Sequence, residues 1–147
     1  MRLVMILTLV ALSACSGSQP QAVNVSGSAG GFDAMSSSQK MAFMKSTVLP
    51  KMKAEFQAFD ATDYGDFTCK TCHGSGATDG KFKMPNADLP KLDMAHGFAK
   101  DMAAHPKTMS FMLQKVKPEM AKMLGQAEDS PSNPDGFGCL ECHTPAP

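Results

Sequence analysis

Met41-Ala42-Phe43-Met44-Lys45-Ser46-Thr47-Val48-Leu49-Pro50-Lys51-Met52 is read again further along as Met109-Ser110-Phe111-Met112-Leu113-Gln114-Lys115-Val116-Lys117-Pro118-Glu119-Met120, at an offset of 68 (109 − 41). Six positions are identical: Met41, Phe43, Met44, Val48, Pro50 and Met52 fall on Met109, Phe111, Met112, Val116, Pro118 and Met120. Around the first copy, apolar residues recur at Met41, Met44, Val48, Met52, Phe56 and Phe59, the spacing of one helix face. Ser36 with Gln39 three positions on has the form of a capping box that starts this helix. The period stays in phase across Pro50, which predicts one helix kinked at the proline rather than two independent ones. Phe56 falls on Leu124 in the second copy. A shared methionine spacing and a shared mid-helix proline exceed what common composition supplies. The chain is therefore expected to be mainly α, a kinked amphipathic helix and a long loop used twice.

Each copy leads to the same five-residue motif, Cys69-Lys70-Thr71-Cys72-His73 and Cys139-Leu140-Glu141-Cys142-His143. The motifs are offset by 70 (139 − 69), so the second loop is two residues longer. C-x-x-C-H is the attachment signature of a covalent c-type haem. Two thiols three positions apart stand about one helical turn from each other and can add to the two vinyl groups on one haem edge. The histidine that follows is then held beneath the ring as the proximal iron ligand. The competing readings of C-x-x-C are a redox dithiol and half of a zinc site. Zinc is the stronger rival, because Cys69, Cys72, Cys139 and Cys142 alone make a four-thiolate set. Histidine is only 4 of 147 residues, yet one directly follows each pair. That favours two covalent haem c groups, with Cys69, Cys72, Cys139 and Cys142 holding them and His73 and His143 on iron.

Met1-Arg2 followed by the apolar run Leu3 to Leu12 has the length of a signal-peptide core and is too short to span a bilayer. It ends in Leu12-Ser13-Ala14-Cys15, which looks like the lipobox of bacterial lipoproteins, whose cysteine is acylated and becomes the new N-terminus. Several acyl chains on Cys15 give lasting attachment. Cysteine arithmetic agrees, since four of the five cysteines belong to the motifs and the odd one is Cys15. The expected organisation is a leader over 1–14, a lipidated flexible tether over 15–35 and one domain over 36–147, with repeat units at about 36–92 and 106–147. Ser16 to Gly31, rich in Ser, Gly, Gln and Ala, carries no hydrophobic period, as a tether would. Beyond Arg2 the chain has 13 Lys and no Arg against 14 Asp plus Glu, one tyrosine and no tryptophan. That balance offers no basic face with interleaved aromatics, so nucleic acid is not an expected partner.

Between the motifs, Ala61 to Thr68 and Gly74 to Gly80 read as loops, and Phe82 to Leu92, interrupted by Pro85 and Pro90, as an extended stretch. Asp93 to Ala104 reads as a short helix with Met94, Phe98 and Met102 at steps of four. His105-Pro106 ends it and starts the last helix, expected to run to about Glu128. Asp129 to Gly138 is a loop rich in Pro, Ser, Asn and Gly.

The order of helix, loop and motif resembles the haem-binding unit of the multihaem cytochrome subunit of photosynthetic reaction centres and related exported cytochromes. The resemblance is one of layout and covers roughly Ser36 to Gly74 and Pro106 to Thr144. It implies a distal methionine supplied by the helix that precedes each motif. Only two units are present, the loops before Cys69 and Cys139 look longer, and light-driven chemistry does not carry over. Only Thr144 to Pro147 follow His143, and none of them can ligate iron, so the sixth ligand of that haem is expected upstream. Met52 and Met120 stand 17 (69 − 52) and 19 (139 − 120) residues before their motifs and are the first choice. Met44 and Met112 come next, then His96 or His105 at a single haem. Met84-Pro85 resembles the Met-Pro of small cytochromes c. Core packing is the ordinary use of most of the 13 methionines, because a flexible polarizable side chain fits well around a flat ring.

These readings point to an electron carrier exchanging single electrons with redox protein partners in a bacterial envelope, lipid-anchored and facing the periplasm or the cell surface, with no small-molecule substrate. The alternatives are a haem peroxidase, reductase or sensor with one open iron, and a zinc-binding lipoprotein. Lys70, Lys81, Lys83 and Lys91 read as a solvated face more readily than as a docking patch. Replacing Cys15 with Ser should move the protein from the detergent phase to the aqueous phase of a detergent partition. Wild-type protein already in the aqueous phase would end the lipoprotein reading.

Overall fold

The computed structural model describes residues 31–147, so the leader, Cys15 and most of the tether lie outside the described residues. Ser36 caps α1 (Ser37–Phe43) through a complete capping box: Gln39 N–H donates to the Ser36 hydroxyl, and Ser36 N–H to the Gln39 side chain. A π turn, Met44–Val48, joins α1 to α2 (Leu49–Phe59) without a break. Pro50 accounts for it. A proline has no N–H to offer the preceding turn and its ring crowds the carbonyl there. The helix opens to i→i−5 bonding instead, and Leu49 N–H reaches back to the Met44 carbonyl. The expected kink is thus realised as one continuous helix with a widened turn.

Thr68 caps α3 (Cys69–His73), which is followed by α4 (Gly76–Asp79), a 3₁₀ turn at Met94–His96 and α5 (Ala99–Ala104). Pro106 opens α6 (Pro106–Phe111) in its first turn, where its missing N–H costs nothing. The second π turn, Met112–Val116, leads into α7 (Lys117–Leu124), and Lys117 N–H reaches the Met112 carbonyl as Leu49 reaches Met44. The second motif begins in a 3₁₀ turn at Cys139–Glu141. The described residues thus form a small, mainly helical domain; among them there is no strand, only isolated bridges such as Leu92 with Pro145.

Four expectations need correction. Gly74 to Gly80 is not all loop, since Gly76–Asp79 forms the short helix α4. The last helix ends at Leu124, not near Glu128, because Gly125 adopts the left-handed conformation (φ 71°) and closes it. The stretch from Asp93 to Ala104 is not one helix, since Gly97 (φ 58°) and Phe98 (φ 63°) break it. The folded body also takes in residues assigned to the 15–35 tether. Phe32 N–H donates to the Leu124 carbonyl, its ring lies 5.9 Å from that of Phe43, and Met35 is buried.

The two long helices meet reciprocally: α2 packs on the second π turn and α7 on the first. The core takes Phe43, Val48, Met52 and Phe56 from one helix and Phe111, Ala121 and Leu124 from the other. Phe67 and Phe137, each two residues before a motif's first cysteine, complete it. Phe56 is the hub, with ring centroids 4.8 Å from Tyr64, 4.9 Å from Phe67 and 5.0 Å from Phe111. Phe59 stacks on Phe111 at 4.3 Å. Phe43 is 1% exposed. Phe43→Ala should cost about 3–5 kcal/mol in chemical denaturation. The same cut at Leu113, which is 38% exposed, should stay within about 0.5 kcal/mol.

Candidate functional site

Thr68 organises the first motif. Lys70 N–H donates to its hydroxyl and Thr68 N–H to the Thr71 hydroxyl, so the cysteines sit on one capped helical turn. Gly138 replaces Thr68 in the second motif and offers no side-chain cap, which fits the looser 3₁₀ turn there. A Cβ on Gly138 would meet the Asp129 carboxylate at 2.7 Å. That carboxylate is held by Lys117 Nζ at 2.6 Å, from the first residue of α7.

Asn86 connects the motifs. It is 7% exposed, its Nδ2 donates to the Cys72 carbonyl at 2.9 Å, and its backbone N–H donates to the Cys142 carbonyl at 2.8 Å. Its Oδ1 accepts from Asp88 N–H, and the Asp88 carboxylate accepts from both the N–H and the hydroxyl of Ser75. Gly74, directly after His73, must be glycine on two counts. Its φ is +51°, and a Cβ would collide with Asp88 and Asn86. Further along the same segment, Leu92 N–H donates to the Thr144 carbonyl and Ala146 N–H to the Leu92 carbonyl. The two motifs are therefore held side by side by one segment between them.

All four motif cysteines are free thiols. The inner pair, Cys72 and Cys142, packs against the same apolar cluster that contains Met52 and is bordered by Met44, Met112 and Met120. Burial pushes the Cys72 thiol up to about 11, with Cys69 adding to the effect. Burial, then the neighbouring Cys72, pushes Cys142 up to about 12. Among the described residues, no three His, Cys, Asp or Glu side chains gather as a metal-holding group, so the four thiols of the zinc reading are not brought together as a cage.

The motif histidines are half-buried. His143 Nδ1 lies 2.8 Å from the Pro90 carbonyl. A carbonyl only accepts, so Nδ1 carries the proton and Nε2 is left with its lone pair, the tautomer a metal ligand needs. The His73 ring stands edge-on to Phe82 at 5.4 Å, and its Nδ1 is buried with no hydrogen-bond partner. Burial lowers the His73 pKa and favours the neutral imidazole. His96 and His105 are exposed, and His96 Nδ1 is 2.8 Å from Asp93. Met84 is half-buried and outside the apolar cluster.

Sequence reasoning missed Asn86 and the two core phenylalanines that precede the motifs. Phe67 and Phe137 had a signal, since both copies read F-x-C-x-x-C-H. Asn86 had none. No family model, no curated protein and no solved structure matches the chain.

The loop before the second motif supplies a pH test. The hydrogen bond to Asp129 is the main cause raising the Lys117 pKa above its ordinary 10.5, with Glu128 adding to it. A raised lysine pKa contributes stability that is complete below the unfolded value and lost as pH climbs through the folded one. Lys117→Ala should cost no more than about 1 kcal/mol at neutral pH, because the Asp129 and Glu128 carboxylates are partly solvent-exposed, and should speed amide exchange over 128–138. The gap from wild type should narrow as pH rises beyond 10.5. A pH-independent gap would mean that Lys117 acts by packing alone.

Proposed function

We propose that this chain is a dihaem c-type cytochrome, anchored to a bacterial membrane through Cys15, that passes single electrons between redox proteins of the envelope. The observation that carries the reading is the pair of C-x-x-C-H motifs, side by side at one apolar cluster rich in matched methionines. On this reading Cys69 and Cys72 hold one haem by thioether bonds and Cys139 and Cys142 the other, with His73 and His143 as proximal ligands. The residues fit that group. The Pro90 carbonyl at His143 Nδ1 leaves Nε2 available to a metal, burial favours neutral His73, and both inner thiols are held uncharged in an apolar setting. When bound, each haem supplies an iron that changes oxidation state by one electron.

What the chain adds is a dry, packed surround. Phe67 and Phe137, two residues before each motif, share one apolar cluster with Met52, and Met44, Met112 and Met120 pack against it. An apolar, low-dielectric setting favours the less charged oxidation state and so raises the reduction potential. Met52, which is 2% exposed in the cluster, and Met120 at its edge are the proposed distal ligands. A thioether there would raise the potential relative to a second imidazole. Met44 and Met112, each the first residue of a π turn, are the alternative pair.

Intact mass after acid and organic extraction should equal the processed polypeptide plus two haems. A haem-free mass with stoichiometric zinc would overturn the reading. Met120→Ala should leave both haems attached but give a high-spin signal and a lower potential at one iron, whereas Met112→Ala should leave the spin state unchanged. The reverse result would move the ligand to the π turn.

A further inference from the structure

We infer that Asn86 is a positioning residue that holds the two haem-binding motifs as a single electronically coupled pair rather than two independent sites. The inference rests on the dihaem reading and adds to it a specific residue and a specific property. Three observations carry it. Asn86 donates from its side chain to the Cys72 carbonyl (2.9 Å) and from its backbone to the Cys142 carbonyl (2.8 Å), so one residue spans both attachment turns. It is the one buried polar residue of the described chain, and each of its amide groups has a partner, with Oδ1 taken by Asp88 N–H. Cys72 and Cys142, the inner cysteine of each motif, both pack against the same apolar cluster.

A buried amide is costly to desolvate unless its hydrogen bonds are made, so a made set fixes geometry strongly. Here the fixed quantity is the placement of one attachment turn against the other. Two redox groups held close in an apolar setting influence each other in two ways. A charge on one shifts the potential of the other, as unscreened Coulomb interaction at short range requires. Their visible transitions also couple. On the dihaem reading, transfer between the two groups would move one electron from the reduced site to the oxidised one, with no bond made or broken and no proton displaced. The external electron donor and acceptor are the redox protein partners. A side-chain substitution at Asn86 cuts the tie to Cys72 and leaves the backbone tie to Cys142, so it loosens one motif against the other without removing any haem ligand.

The test is visible circular dichroism and redox titration of the full-length holoprotein, with haem count by intact mass for each variant. Wild type should show a bisignate Soret couplet and two separated midpoint potentials. Asn86→Ala should keep two haems yet lose the couplet, and the two midpoints should draw together. Asn86→Ser, which keeps a small polar group but cannot span to the Cys72 carbonyl, should do the same and serves if the alanine variant folds poorly. Asp88→Ala, which releases Ser75 but leaves both Asn86 bonds, should retain the couplet. Two haems with no couplet in wild type would overturn this inference and leave the dihaem reading standing. So would an undiminished couplet in the Asn86 variants, or equal loss in Asp88→Ala. A wild type without haem would instead remove the reading beneath it.

Discussion

A missing backbone donor governs this structure. Pro50 and Pro118 each deprive a long helix of one N–H, and each helix answers with a π turn just before the proline. The widened turn sets which residues face inward. Val48, Met52 and Phe56 follow Met44 at three successive steps of four, and on an ideal helix such steps overshoot one face by roughly 120°. A turn that absorbs an extra residue corrects much of that drift. Val48, Met52 and Phe56 are accordingly all buried, with Phe43 beside them. The second helix repeats the device with Val116, Met120 and Leu124. Because each π turn is also where the opposite helix packs, the same lost hydrogen bond shapes both the faces and their crossing.

The motifs are placed by a different kind of constraint. Their helices come from local signals: a threonine cap at Thr68, a bare glycine at Gly138, a phenylalanine anchor two residues before each first cysteine. Their mutual position comes from the segment Asn86 to Leu92, which bonds to the first motif through Cys72 and Ser75 and to the second through Cys142, His143 and Thr144. Charge is kept to the margin of this assembly. Lys51 pairs with Glu55, and Lys117 with Asp129 and Glu128, all on partly exposed surface. Exposed pairs of that kind contribute little to stability, so packing and the buried amide carry the architecture.

What was legible in the chain follows the range of the interaction behind it. The start at Ser36, the helix opening at Pro106 and the apolar face from Val48 to Phe56 depend on residues within a turn of each other and are found where the spacing put them, although at the start Phe43 rather than Met41 is buried. The run of four-residue steps also encoded the π turns, since a regular α-helix cannot keep such a run on one face, but a proline more readily suggests a kink. Gly125 was a stop signal overlooked in favour of a longer period. Phe32 and Met35 were masked by the Ser- and Gly-rich stretch around them, though each is a large apolar side chain that a core will take. Asn86 lay beyond reach, because its partners are 14 and 56 residues away in sequence (86 − 72 and 142 − 86) and nothing local marks a polar residue for burial.

The repeat is symmetric in its helices and asymmetric at its motifs, and the asymmetry falls on atoms that matter to a metal. His143 has its Nδ1 proton donated to the Pro90 carbonyl, whereas His73 Nδ1 is buried without a partner against Phe82. An imidazole whose distal N–H is hydrogen-bonded is the more electron-rich ligand. On the dihaem reading, the second site would thereby favour its oxidised state more than the first, even with the same methionine opposite. The same segment that ties the motifs together through Asn86 thus also makes their histidines unequal through Pro90.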